Sequence, residues 1–181
     1  MAKKHKRFIV AIDGRCGSGK TTVAGVLGKR LDAVVFHMDD FYLQKHQRTE
    51  ERYNEPGGNV DRERFLEEVL KPLYEGAEEI LYRPINCGTF DVSEGKIIRP
   101  GRIAIVEGSY SLHPELRDYY DYKVFLDIDC KTQFERIEKR NTPEQVIAFR
   151  ERWIPLEEKY FDELEIRKYA DRVFKMSAGE K

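Results

Sequence analysis

The 181-residue sequence predicts an α/β domain of three layers, built on a parallel sheet of about five strands and closed by a small helical lid. Three observations lead there. A glycine-rich turn, Gly14 to Lys20, separates the apolar run 8–12 from the start of a helical pattern. Further apolar runs at 33–38, 102–108, 122–129 and 170–174 alternate with stretches of helical spacing. The runs at 33–38 and 102–108 are continuous rather than alternating with polar residues, as in strands covered on both faces of a parallel sheet.

The first strand and the turn after it carry the most specific pattern. Gly14, four residues, then Gly19-Lys20-Thr21 match a phosphate-binding loop. Gly14, Gly17 and Gly19 permit positive φ and close backbone approach, so successive N–H groups converge on phosphate oxygens. The start of the following helix adds its partial positive charge. Lys20 is the point charge for the β- and γ-phosphates, and the Thr21 hydroxyl is placed for Mg²⁺. The expected ATP-binding segment is therefore Gly14, Arg15, Cys16, Gly17, Ser18, Gly19, Lys20, Thr21 and Thr22. This makes the predicted domain a P-loop NTPase domain spanning 1–181.

Val23, Ala24, Val26, Leu27 and Leu31 recur at helical spacing, which predicts an amphipathic helix over 21–31. A strand at 33–38 leads into a polar, turn-rich stretch, 39–59, read as a long functional loop. Asp61 then suits an N-cap before the stripe Phe65, Leu66, Val69, Leu70 and Leu73, with Pro72 perturbing the end of that helix. Short strands at 79–82 and 95–99 enclose a polar segment and suggest a hairpin over an acceptor pocket, an insert of about 80–100. After the strands 102–108 and 122–129, a helix runs to about Arg140. A second helix after Pro143 carries Val146, Phe149, Trp153, Leu156 and Tyr160, with a kink expected at Pro155. The lid is assigned to about 136–153, and a last strand to 170–174.

Composition narrows the function. Charged residues form 36% of the chain, but 32 basic and 33 acidic side chains nearly cancel, so no global field favours nucleic acid or an anionic membrane. Lys3-Lys4-His5-Lys6-Arg7 reads as a solvated lead-in to the first strand. Residues 8–12 are too short and too soon followed by Asp13 for a signal peptide, and no 18-residue apolar run exists, so a soluble, cytoplasmic protein is expected. Cys16, Cys87 and Cys130 lack metal-ligand spacing and are odd in number, which argues against a disulfide framework or zinc site. Cys16 reads as a small side chain that fits the loop. The oligomeric state is left open, a homo-oligomer included.

The other strand ends decide the chemistry. Asp39 and Asp40 follow the second strand at the same sheet edge as the loop, where a carboxylate can accept the proton of an attacking hydroxyl or, alternatively, cap the next turn. Glu107 ends the strand 103–106, a position for holding Mg²⁺ directly or through water. Arg136, Arg140, Arg150 and Arg152 lie in the lid region, where a guanidinium can neutralise charge on a transferred phosphoryl group, with Arg136 and Arg140 leading. Asp129 reads as a helix cap, His37 as a core residue of its strand, and His46 and His113 as loop residues.

Several segments together resemble one family. Gly14 to Thr22, Met38-Asp39-Asp40-Phe41-Tyr42, Val106-Glu107-Gly108-Ser109-Tyr110 with Leu116-Arg117-Asp118, the run 123–129 and Tyr169-Ala170-Asp171-Arg172-Val173 are similar to the uridine kinase and phosphoribulokinase group of P-loop kinases, with nicotinamide riboside kinases close by. The segments span almost the whole chain. The resemblance implies Lys20 on the phosphates, Thr21 and Glu107 at Mg²⁺ with Asp39 alongside, and Asp39 as the base acting on a primary hydroxyl. It also implies Tyr42 near the acceptor, Asp61 on ribose hydroxyls, and Arg136 and Arg140 as lid arginines. The stretch 153–160 resembles one in nicotinamide riboside kinases. The segment 84–90, where uridine kinases carry an aromatic and a histidine for the pyrimidine, has no histidine here, and Asn86 stands where a tyrosine is expected.

The expectation is an ATP- and Mg²⁺-dependent kinase, uridine kinase-like, that phosphorylates a hydroxyl of a nucleoside or related small-molecule acceptor lined by Asp39, Tyr42, Asp61, Arg83, Asn86 and Tyr110. Nicotinamide riboside and pantothenate are alternative acceptors. The rival reading is a nucleotide-binding regulatory module whose 136–152 region responds to ATP for a protein partner. Nucleic-acid kinase activity is disfavoured by the absence of a basic stripe.

Overall fold

The computed structural model describes residues 7–86 and 88–177; Cys87 and the 3–6 part of the basic lead-in lie outside them. β1 (Phe8–Gly14) enters the phosphate-binding loop and α1 (Lys20–Leu31) leaves it. β2 (Val34–His37) is followed by a 3₁₀ turn at Met38–Phe41, another at Lys45–Gln47, and α2 (Glu50–Asn54). A continuous helix over 62–75 comprises α3 (Arg62–Phe65), a π turn at Leu66–Leu70, and α4 (Lys71–Glu75). β3 (Ile80–Tyr82) and β4 (Lys96–Ile98) form an antiparallel pair. β5 (Ile103–Glu107) and β6 (Tyr122–Ile128) return to the main sheet, followed by α5 (Cys130–Arg140). A second continuous helix, 143–163, comprises α6 (Pro143–Ala148), a π turn at Phe149–Trp153, and α7 (Ile154–Glu163). β7 (Arg172–Met176) ends the described chain's secondary structure.

The main sheet has five parallel strands in the order β2-β5-β1-β6-β7, in agreement with the expected architecture. Alternation along β1 divides the core. Ile9 and Ala11 face a large cluster with Phe36, Val106 and Phe125, covered by Phe65, Val69 and Leu73 of the 62–75 helix and by Tyr160 and Phe161 of α7. Ile12 faces the opposite side with Ile105, Val124, Leu126 and Ala24 of α1. These are the three layers, and β1 lies at the centre of the sheet, so its carboxyl end opens into the crevice between neighbours where ligands of such sheets bind.

Three expectations change. β2 is an edge strand, so it is only half covered, and His37, read as core, leaves 39% of its side chain open. In α1, Lys20, Ala24 and Gly28 are buried and Val23 and Leu27 pack against the core, but Val26 and Leu31, counted in the same face, are exposed. The stretch 39–59 is not a loop throughout: Thr49 caps α2 by accepting from the Arg52 amide, with Glu50 and Glu51 in the first turn. Pro72 and Pro155 perturb their helices in one particular way. Each follows a π turn, and widening the preceding turn relieves the clash between the proline ring and the carbonyl four residues back. The caps at Asp61 and Asp129 are as expected, accepting from the amides of Arg64 and Thr132 at 3.1 and 2.9 Å. Among the described residues no helix is long and apolar enough to cross a membrane.

Gly14 has φ +139°, and a Cβ there would stand 2.1 Å from the Leu126 carbonyl oxygen of β6. Gly14→Ala should therefore cost about 3 kcal/mol or more in urea unfolding, or prevent folding. His113 is buried, and desolvation, with Arg62 nearby, pushes its imidazole down to about 4 from the ordinary 6.5. A base depressed in the folded state contributes fully above 6.5, and that contribution falls as pH drops toward 4. The wild type should lose about 3 kcal/mol over that window relative to His113→Gln, measured as the difference between their urea-unfolding free energies.

Candidate active site

The carboxyl ends of β1, β2 and β5 converge on a cavity of about 530 Å³. Its floor is the loop 14–22, with Gly14, Gly17 and Gly19 all at positive φ, at 139°, 78° and 97°. That conformation turns consecutive amides toward one concavity. Cys16, Gly17, Gly19, Lys20, Thr21 and Thr22 line it. Ser18 is fully buried and its Oγ has no partner. The Lys20 ammonium donates to the carbonyls of Gly14 and Arg15 at 2.7 and 3.0 Å and to Ser109 Oγ at 3.2 Å.

Arg15 turns away from the cavity. It pairs with Asp127 at 2.9 Å and with Glu158, tying the loop to β6 and α7. Burial alone would raise the Asp127 carboxyl, yet Arg15 and Arg167 hold it below the ordinary carboxylate range. Cys16 is held inward: Gln133 donates to its sulfur at 3.1 Å, and burial, aided by the Glu157 charge, pushes the thiol up to about 12.

One wall comes from the turn after β2 and the loop after β5. Asp39 is open to the cleft but surrounded by protein on its other sides. Desolvation raises its carboxyl, Lys20 lowers it, Glu107 raises it, and solvent in the cleft screens all three. Asp40 instead accepts from the Tyr82 hydroxyl at 2.6 Å, which turns it toward the β3–β4 hairpin. Glu107 stands 3.2 Å from Thr21 Oγ1 and 2.6 Å from His37 Nδ1. Its carboxylate is the main reason the His37 imidazole is raised above its ordinary value. Among the described residues no three His, Cys, Asp or Glu side chains are grouped so as to hold a metal ion by themselves.

Of the residues singled out for the acceptor, Tyr42 and Tyr110 line the cavity beside Asp39. Asp61, Arg83 and Asn86 do not. Asp61 is occupied by its cap and by Gln44 at 3.2 Å, Arg83 pairs with Glu68, and Asn86 is exposed, accepting from the Gly88 amide at 2.8 Å. Arg140 lines the far wall, whereas Arg136 donates to the carbonyls of Gly17 and Ser177, each at 3.0 Å. Residues that sequence reasoning passed over complete the walls: Asn59 beside Tyr110, then Arg48, Tyr53 and Phe90 at one side, and Gln145, Phe149, Trp153 and Glu157 along one helical stripe. The Arg48 guanidinium lies 3.5 Å from the Phe90 ring centre. The stripe at intervals of four was the available signal for the last group.

The AAA domain family matches residues 10–160. A uridine kinase of Staphylococcus epidermidis is 32% identical over 156 residues, covering 78% of this chain and 72% of that protein. The chain belongs to the uridine kinase-like family of P-loop kinases. Uridine kinase-like protein 5 of Arabidopsis thaliana, a further member, is 29% identical over 150 residues, and the match covers 76% of this chain but only 31% of that longer protein. Among solved structures, a possible uridine kinase of Bacillus stearothermophilus superposes with TM-score 0.70 at 25% identity, covering 95% and 90% of the two chains. D-glycerate 3-kinase of Cryptococcus neoformans shares the fold at TM-score 0.64 and 16% identity, covering 97% and 89%. The P-loop kinase fold and its nucleotide-binding loop are thus those of the family.

The thiol environment makes a direct check of this geometry. In native Cys87→Ser protein at pH 8, Ellman's reagent should titrate exposed Cys130 quickly and the partly buried Cys16 at least about tenfold more slowly, the difference vanishing when the chain is unfolded. Comparable rates for the two thiols in the native protein would contradict the holding of the Cys16 thiol against Gln133 and Glu157.

Proposed function

We propose that this chain is an ATP- and Mg²⁺-dependent kinase that transfers a phosphoryl group to a hydroxyl of a nucleoside or related ribosyl metabolite. The observation that carries the reading is that Asp39, open to the cleft, shares one cavity with Lys20 and Thr21. A triphosphate seated on the loop amides would meet Lys20, and Arg140 faces it from the other wall. Thr21 and Glu107, oxygen donors 3.2 Å apart, suit a hard cation. Mg²⁺ bound there would neutralise charge on the phosphates. Asp39 is the group that takes the acceptor's proton, and its raised carboxyl is better matched to that task than an ordinary aspartate.

The acceptor lies, on this reading, against Tyr42, Asn59 and Tyr110. Asn59 is nearly buried and its Oδ1 has no protein partner, which suits an acceptor hydroxyl. Aromatic side chains at the same cavity, Tyr53, Phe90 and Trp153, favour a flat ring over an open-chain acceptor such as pantothenate. Because Arg83 and Asn86 are committed elsewhere, base selection falls to those rings, and a nicotinamide riboside-like acceptor stands level with uridine. The candidate base has a place in the cleft that a purely regulatory nucleotide switch would not need.

The test is transfer of labelled phosphate from ATP to a panel of nucleosides, nicotinamide riboside, pantothenate and sugars. Transfer to a ribosyl hydroxyl is expected, and ATP binding without transfer to any of them would overturn the kinase reading. Asp39→Asn should lower kcat by about 10² to 10⁴ while leaving the affinity for an ATP analogue within about threefold.

A further inference from the structure

Glu157 is a carboxylate placed against a loop built to hold anions, and the mechanism above gives it no task. It is 2% exposed. Its Oε1 accepts from the Cys16 amide at 2.7 Å and from Ser109 Oγ at 2.7 Å, and its Oε2 accepts from Gln133 Nε2 at 3.2 Å. Three segments therefore meet on one side chain of α7: the phosphate-binding loop, the turn after β5, and α5.

The Ser109 hydroxyl has one proton and two acceptors within reach, Glu157 at 2.7 Å and the Gly14 carbonyl at 3.0 Å. A carboxylate is the stronger acceptor and the nearer one, so the proton goes to Glu157. That leaves a Ser109 lone pair for the Lys20 ammonium at 3.2 Å. Lys20 has three donors, and all three are taken within the protein, two by loop carbonyls and the longest by Ser109. The bond to Ser109 is the one a phosphate oxygen would most easily replace or share.

We infer that Glu157 is a positioning residue for the nucleotide. Through Ser109 it aims the Lys20 ammonium, and through the Cys16 amide it sets the first turn of the loop. It touches no reacting atom itself. The inference rests on the loop being an ATP site, as proposed above, and extends that reading to a link between the lid-side helix and the phosphate cradle. The link is made by geometry: a glutamine can accept the same two bonds at one oxygen and, with Gln133 flipped, satisfy the third.

The experiment is binding of a fluorescent ATP analogue with Mg²⁺ to the full chain, which needs no acceptor. Glu157→Ala should weaken binding about tenfold, and Glu157→Gln should recover most of that loss. Ser109→Ala should weaken it in the same direction, and the Glu157→Ala, Ser109→Ala double variant should bind no more weakly than Glu157→Ala alone, because the two act in series. Glu157→Asp, too short to reach both donors, should resemble the alanine variant and carries the test if alanine prevents folding. Wild-type affinity in the alanine and aspartate variants, losses that multiply in the double variant, or no recovery with glutamine in a folded protein would overturn the inference. A negative acceptor screen would leave it standing, whereas a wild-type chain that binds no ATP analogue would overturn both.

Discussion

A single buried carboxylate holds together the parts on which the site depends. Asp13, fully buried at the end of β1, accepts from the Gly14 amide at 2.6 Å, the Leu112 amide at 2.8 Å and the Tyr160 hydroxyl at 2.7 Å. Those donors belong to the loop, to the segment following β5, and to α7, the last of them 147 positions from Asp13. Desolvation pushes the carboxyl up to about 6, and the three donors with Lys20 pull against that. An acceptor with three donors in a dry site is directional, so it fixes the mutual orientation of the segments as an apolar contact could not.

The site inherits its order from that junction. Ser109 and Tyr110 precede Leu112 on the same turn, where Tyr110 is held at φ +78°, and Glu157 lies one turn before Tyr160 on α7. The π turn just ahead of α7 brings Phe149 and Trp153 into the same stripe as Glu157. Residues that form the wall are therefore fixed by contacts below the cavity, and the cavity surface itself is left with polar groups still able to bond.

Much of the fold was legible because it depends on short-range pattern. The glycine spacing, the continuous apolar runs and the capping aspartates each state a local preference, and the strands and most helices follow. Strand order was not legible, since pairing β1 with both β5 and β6 is decided by contacts roughly a hundred residues apart, and with it went the edge position of β2 and the half-open His37. The P-loop, Asp39 and Glu107 come from motifs that mark strand ends, and these meet around the loop. Arg48, Tyr53 and Asn59 were hidden in a stretch whose polarity reads as loop. Glu157 was hidden because its partner amide at Cys16 lies 141 positions away. Arg83 and Asn86 belong to a segment whose polarity suggests a cover over the acceptor pocket, but the side chains find nearer partners, Glu68 and the backbone of the Asn86 turn.

The hairpin joins the rest through Tyr82. Its ring packs between Phe36 and Phe41, each at 5.5 Å between ring centres, and its hydroxyl bonds both Asp40 and the backbone of His37. Tyr82 thus works as a bolt between the hairpin and the turn that carries Asp39. Just beyond Tyr82, the Ile85 amide donates to the Asp40 carbonyl at 2.8 Å. Loss of that one phenol would release the Asp40 carboxylate and the His37 backbone together, so the hairpin and the turn beneath it are coupled through a single side chain.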